Sequence, residues 1–269
     1  MRYQIRKMLK HTFVISAYKE SPYLEACIQN LLKQTVKSEI IITTSTPSLF
    51  LEDLAKKYQL PYVVNQNGNT SIANDWNFAL SQAKTQYVTI AHQDDVYDEN
   101  YTKEFLINLE KHPNTLIAFS DYSDIVNGTI KKQSLNKLIK HLLLFPFMLK
   151  SAYKNKFIKK LILSFGSPIC CPSVTYNIEI LTNFKFNNDY VVALDWLGWL
   201  QIANQDGKFL YINRDLVKHR IHQESETTVQ LNNGKRTKEE LTILTQIWGG
   251  FLGSIISKFY ALGQKGNQV

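Results

Sequence analysis

Short apolar runs alternate along this chain with stretches whose apolar positions recur at helical spacing. Thr12-Phe13-Val14-Ile15 reads as a buried strand. Ser21-Pro22 then supplies a cap and a first-turn proline for a helix with apolar positions at Leu24, Cys27, Ile28, Leu31 and Leu32, ending near Gln34. Glu39 to Thr43 predicts a second strand, Leu51, Leu54, Ala55 and Tyr58 a second helix, and Pro61 to Val64 a short third strand. Ser71, Ile72, Trp76, Ala79, Leu80 and Ala83 predict a helix feeding the apolar run Tyr87 to Ala91. Beyond Asp95 follow a helix through Phe105, Leu106 and Leu109, a strand at Leu116 to Phe119, and a second α/β portion from Pro172 to about Ile212. Strand and helix alternating at this spacing predict an α/β fold, a mostly parallel sheet with helices on both faces.

The run at Tyr87 ends in His92-Gln93-Asp94-Asp95, which places two carboxylates at the carboxyl end of a strand. In an open α/β sheet that edge binds ligands. Adjacent acids there suit a hard cation shared with phosphate oxygens. The same residues also read as an acidic turn capping the next helix. Asp195 carries a similar ambiguity, since Trp196, Leu197, Leu200 and Ala203 predict a helix that it could cap.

At 269 residues with 44% hydrophobic content, the chain is long enough for one large folded domain or two small ones. Cys27, Cys170 and Cys171 have neither disulfide-framework nor zinc-site spacing, so a reducing compartment is expected. The basic amino terminus lacks an apolar core and makes a poor signal peptide, so the sequons at Asn69 and Asn127 are expected to be idle. The net charge of +8 is concentrated: nine lysines and no acid lie between Asp124 and Glu179. Interleaved with Leu142 to Leu149 and with Phe157 to Phe165, they read either as a surface for anionic lipid or as a solvated face over a packed helix. No nucleic-acid-binding motif accompanies the charge, so no nucleic-acid partner is expected. Leu241 to Ser257 is uncharged but broken by glycines, which predicts a docked helix, a subunit contact or an interfacial anchor outside the catalytic constellation rather than a membrane span.

Five motifs in order resemble family-2 glycosyltransferases of the GT-A fold over about Thr12 to Thr228. They are Ile15-Ser16-Ala17-Tyr18-Lys19-Glu20, Ile72 to Leu80, His92-Gln93-Asp94-Asp95, Ala193-Leu194-Asp195-Trp196, and His219-Arg220-Ile221-His222 with Ser225-Glu226-Thr227. The resemblance implies a GT-A domain over 1–235, with a basic helical insertion at 130–166, followed by a C-terminal helical segment at 236–269. It implies a metal-dependent inverting transfer from a nucleoside-diphosphate sugar, with UDP as the default, to a glycan, lipid-linked or protein-linked acceptor of a bacterial surface glycoconjugate. Asp94, Asp95 and His222 would then hold Mn²⁺ or Mg²⁺. Ala17, Tyr18, Glu20, Thr44, Ser45, Asn77, His92, Asp95 and Arg220 would contact the donor. Asp195 would take the acceptor proton.

Two departures from the family pattern stand out. His92 replaces the first acid of the metal motif, and Thr43-Thr44-Ser45-Thr46-Pro47 replaces an acidic base-reading turn. They keep open a non-catalytic sugar-nucleotide-binding or adaptor protein on a decayed GT-A fold. A sugar-nucleotide pyrophosphorylase is disfavoured, because Ser16 to Pro22 lacks the glycine-rich phosphate loop. The expected location is cytoplasmic, either free or peripheral on the inner face of the cell membrane, with the C-terminal segment as a candidate homo-oligomer contact.

Overall fold

The computed structural model describes residues 10–67, 71–222 and 234–264. Strand β1 (His11–Ala17) leads to α1 (Leu24–Leu32), β2 (Glu39–Thr44), α2 (Leu49–Tyr58), β3 (Tyr62–Val64), α3 (Ile72–Gln82) and β4 (Tyr87–His92). β2 and β4 flank β1, and β3 lies outside β2, all parallel. Helices cover both faces of such strands, which is why Phe13-Val14-Ile15 is an unbroken apolar run rather than an alternating one. Phe13 and Ile15 pack against α1 and α2, whereas Val14 packs against Ala79 and Ala83 on the other face. Ser48 and Ser71 cap α2 and α3 by accepting from the Leu51 and Asn74 amides. α1 starts later than Ser21-Pro22 suggested. Those two residues form the preceding turn, and the helix begins at Leu24 without a side-chain cap.

The remaining elements are β5 (Val96–Tyr97), α4 (Tyr101–Lys111), β6 (Thr115–Val126), β7 (Thr129–Lys131), α5 (Leu135–Leu143), α6 (Phe145–Leu149), β8 (Ala152–Tyr153), α7 (Lys156–Leu161), β9 (Val174–Asn177), α8 (Leu194–Ala203), β10 (Lys208–Ile221) and α9 (Lys235–Gln264). They complete one mixed sheet in the order β3-β2-β1-β4-β9-β6-β10-β5, with β7 on β6 and β8 on β10. β9 runs antiparallel between β4 and β6, and β10 is parallel to β6. Both β6 and β10 outrun their apolar patterns. β6 continues through Ser120 to Asp124, and β10 crosses Asn213-Arg214-Asp215 with register shifts beside Asp215. Polar pairs such as Ser123 Oγ donating to Asp215 Oδ2 at 2.9 Å satisfy these extensions. The extensions carry both strands to the edge where β4 ends.

The insertion at 130–166 is helical, but its lysines do not form one solvated face. Lys159 is fully buried and donates to the Gln205 and Gly207 carbonyls at 2.8 and 2.9 Å. Lys137 is buried on the Tyr122 carbonyl. At the C-terminus, Ile243 and Leu244 sit in the same core as Trp196 and Trp199, so the first half of α9 packs continuously with the preceding domain across position 235. α9 breaks at Gly249, whose φ of 77° is a left-handed value that favours glycine. A Cβ at Gly253 would lie 2.8 Å from the Thr245 backbone, so the second half folds back on the first where only glycine fits. Among the described residues no helix is long and apolar enough to cross a membrane.

Candidate active site

Register sets the floor of the site. Ala17 pairs with Thr44 and Ser16 with His92, so β1, β2 and β4 end together at one edge. Gln93 clasps the backbone of Tyr18, accepting from its N–H at 3.2 Å and donating to its carbonyl at 3.0 Å. The Lys19 amide donates to Thr46 Oγ1 at 2.6 Å, which ties the turn after β1 to the loop after β2. Tyr18 and Glu20 are exposed at this rim. Ser45 Oγ donates to Asp75 Oδ2 at 2.7 Å, and Asn65 Nδ2 to its Oδ1 at 3.0 Å. Asp75 therefore brings a carboxylate to the loop after β2, where the sequence offers only hydroxyls. Its only advance sign was membership of the Ile72 to Leu80 motif. Asn77, expected to contact the donor, exchanges hydrogen bonds through its amide with the Phe186 backbone at 2.9 and 2.8 Å, a clamp that fastens the segment before α8 to α3.

Ligand atoms of His92, Asp94 and Asp95 lie within 4.8 Å of one another. The His92 ring stacks on Trp76 with centroids 5.5 Å apart. Burial pulls its pKa down to about 4, so the imidazole is neutral and keeps a lone pair. Among the described residues, His92 Nε2 and Asp95 Oδ2 are buried without hydrogen-bond partners. Burial opposes ionisation of Asp94 as well, yet the His222 hydrogen bond, helped by the His219 charge, holds it below its ordinary value. His222 Nε2 lies 3.0 Å from Asp94 Oδ2. Asp95 is pushed the other way, first by burial and then by the Asp94 charge. Its Oδ1 accepts from the Arg220 amide at 2.7 Å.

The extended ends of β6 and β10 form the second wall. His219 Nδ1 lies 3.2 Å from Asp124 Oδ1. Burial lowers its affinity for a proton, but the Asp124 bond and the charges of Asp95, Asp124 and Asp94 together outweigh this and the pKa is raised. His219 and His222 thus turn to different acids, as strand alternation requires. Arg220 Nε donates to the Asp94 carbonyl at 2.8 Å, and its guanidinium lies 4.4 Å from the Tyr23 ring centre. Tyr23 also meets the His222 ring at 5.2 Å. It supports both residues from the turn before α1, a role no sequence pattern announced. The Ser225-Glu226-Thr227 part of the C-terminal motif and the Asn69 sequon lie outside the described residues.

Asp195 stands in the first turn of α8, where its Oδ1 accepts from the Trp196 amide at 2.6 Å. Burial raises its pKa to about 6 against the opposing charges of Arg236 and Lys140. The half-buried Cys171 thiol is pushed up by burial, then by Asp195, Cys170 and Asp95. The helix itself begins at Leu194, with no side chain of its own as cap. Instead Glu239 of α9 accepts from the amides of Val191, Val192 and Ala193 at 3.0, 2.9 and 3.0 Å. Glu239, just before the uncharged stretch Leu241 to Ser257, therefore braces the loop that precedes Asp195. The acid at position 239 sits among the charges of a helix start, and nothing there hinted at a partner 46 residues upstream.

The glycosyl transferase family 2 model matches residues 12–177, more than half of the chain. Uncharacterized glycosyltransferase MJ1057 of Methanocaldococcus jannaschii is 24% identical over 217 residues, 77% of this chain and 69% of that protein. Among solved structures, S. aureus TarS 1–349 in complex with UDP-GlcNAc has a TM-score of 0.64 at 14% identity, over 97% of this chain and 74% of that one. Mannosyltransferase PcManGT from Pyrobaculum calidifontis, in complex with GDP-Man and Mn²⁺, has a TM-score of 0.64 at 10% identity, over 97% of this chain and 76% of that one. At such identities the structural likeness is one of fold, and it is the GT-A fold. The family match runs through β1, the α3 motif and the acid cluster at the end of β4, and this chain belongs to glycosyl transferase family 2.

Proposed function

We propose that the protein is a divalent-cation-dependent, inverting glycosyltransferase that moves a sugar from a nucleoside-diphosphate sugar to an acceptor hydroxyl. The observation that carries this reading is the acid cluster. Two buried polar atoms, His92 Nε2 and Asp95 Oδ2, lack hydrogen-bond partners among the described residues beside an ionised Asp94, the latter oxygen lying 3.7 Å from His92 Nδ1, and buried polar atoms in a folded protein are normally satisfied. A neutral imidazole and carboxylate oxygens suit Mn²⁺, with Mg²⁺ served by the carboxylates alone. Asp94 and Asp95 would hold the ion, with His92 or His222 completing the protein's share. Such an ion supplies positive charge to the departing diphosphate. The complexes of the two structurally similar proteins, one with UDP-GlcNAc and one with GDP-Man and Mn²⁺, support this donor class and leave UDP as the default.

The chain's own groups divide the remaining work. Arg220, held over Tyr23 and anchored on the Asp94 carbonyl, offers its remaining N–H donors to phosphate. Ala17, Tyr18, Thr44 and Ser45 line the nucleoside side, and Asp75 adds a carboxylate beside Ser45. Asp195 is the base: one oxygen is fixed by the Trp196 amide, and a pKa near 6 leaves the carboxylate ionised yet basic at neutral pH. A lone base acting on an attacking hydroxyl implies single displacement and an inverted anomeric centre. Resolving the product anomer by NMR, together with turnover of Asp94→Asn in saturating donor, tests this. An inverted product and a variant without metal-dependent turnover support it; a retained anomer, or an unaffected variant, contradicts it.

A further inference from the structure

The insertion helix α5 is mounted with its polar face inward. Ser134 caps it, and Asn136 and Lys137 are its buried residues. Lys137 reaches the Tyr122 carbonyl and lies 3.4 Å from Asp121; Lys140 donates to Tyr122 Oη at 3.0 Å; His141 Nε2 lies 3.2 Å from Asp121. Leu135, Leu138 and Leu142, spaced to share one face, point outward and are 61%, 63% and 72% exposed. A water-facing helix normally shows the reverse arrangement.

The second half of α9 repeats the inversion. Its small residues Gly253 and Ser257 are buried, Gly253 against Thr245, while Phe251, Ile255 and Phe259 share the opposite face and are exposed. α5 and α9 are in contact. α9 also reaches the proposed base, because its Glu239 accepts from the Val191, Val192 and Ala193 amides just before Asp195.

We propose that the outward apolar faces of α5 and α9 form a docking surface for an anionic lipid bilayer, which delivers a lipid-linked acceptor to Asp195. The choice of acceptor rests on the transfer proposed above; the docking surface does not. Charge selects the occupant. Lys131, Lys132, Lys150, Lys154 and Lys160 are exposed on the insertion, and no acid occurs between Asp124 and Glu179 to neutralise them. A second copy meeting this face across a two-fold axis would set lysines against lysines. Anionic headgroups complement them, and acyl chains accept the leucine and phenylalanine side chains.

The test is co-sedimentation of the full chain with vesicles of phosphatidylcholine alone and of phosphatidylcholine mixed with phosphatidylglycerol. The wild type should bind the anionic vesicles, less as salt rises but not to zero, because apolar insertion is unscreened. Leu138→Glu with Leu142→Glu should lower binding at least ~10-fold while circular dichroism and monomer mass stay unchanged, since both side chains face outward. No binding by the wild type, equal binding to both vesicle types, or an undiminished double variant overturns the proposal. A wild-type dimer that the double variant abolishes assigns the face to a second copy instead. Donor hydrolysis without vesicles, assayed in parallel, reports on the transferase reading alone.

Discussion

Replacing Asp195 with Asn removes a charge that folding disfavours and catalysis needs, so the two effects should carry opposite signs. Burial raises the folded pKa from 3.8 to about 6. A carboxyl with a raised pKa binds more protons folded than unfolded, so its contribution to stability declines as pH climbs from the unfolded value through about 6. Two pKa units correspond to at most about 3 kcal/mol, and partial exposure of the group reduces this to about 1–3 kcal/mol. The side-chain amide that replaces the carboxylate can still accept from the Trp196 N–H through its carbonyl oxygen. Asp195→Asn should therefore be as stable as wild type at low pH and more stable, by that order, near pH 8. Over the same range its turnover should fall by ~10²–10⁴ fold, with donor affinity nearly intact. Urea denaturation at two pH values, donor calorimetry and steady-state rates measure the three quantities. A variant that loses stability at alkaline pH, or loses donor affinity in step with rate, would show that Asp195 serves as a helix-start support instead of a base.

The wild-type turnover rate should rise with pH through an apparent pKa near 6 as Asp195 ionises, a limb that a pH–rate profile at saturating substrates would resolve and that a flat profile would refute. Glu239→Ala strips the acceptor from three amides before α8, and should destabilise the fold by about 2–4 kcal/mol and lower turnover without touching the metal cluster; unchanged melting would remove its bracing role. His11 is buried between Ser38 and Thr89, with its pKa pulled down to about 3 by burial. The unfolded chain takes up that proton first, so His11 alone should cost about 3 kcal/mol of stability between neutral pH and about pH 4, and His11→Gln should flatten that part of the acid profile.

What the sequence disclosed followed physical periodicity. β1, β2 and β4 lie in the interior of the sheet and announce themselves as apolar runs, and Ser71 opens the helical spacing of α3 with a capping oxygen. The acid cluster was visible because it directly follows such a run. β6 and β10 were under-read because Asp121, Asp124 and Asp215 obtain their partners from distant strands and helices, which no local pattern records. Glu239 and Tyr23 were invisible for the same reason: each acts on a segment remote in sequence, one through backbone amides and the other through ring faces. The lysine-rich segment was legible in composition and misleading in detail, since charge counts cannot say which lysines turn inward. Lys137 and Lys159 do.

In the proposed mechanism His92, Asp94, Asp95 and Asp195 act together as one donor-consuming site. The most direct test is release of nucleoside diphosphate from a panel of UDP- and GDP-sugars by the purified full chain, in Mn²⁺ and in excess chelator. At least one donor should be consumed in Mn²⁺, chelator should abolish this, and Asp94→Asn should do the same. Binding of donors without any turnover, or turnover that is indifferent to chelator, would contradict it.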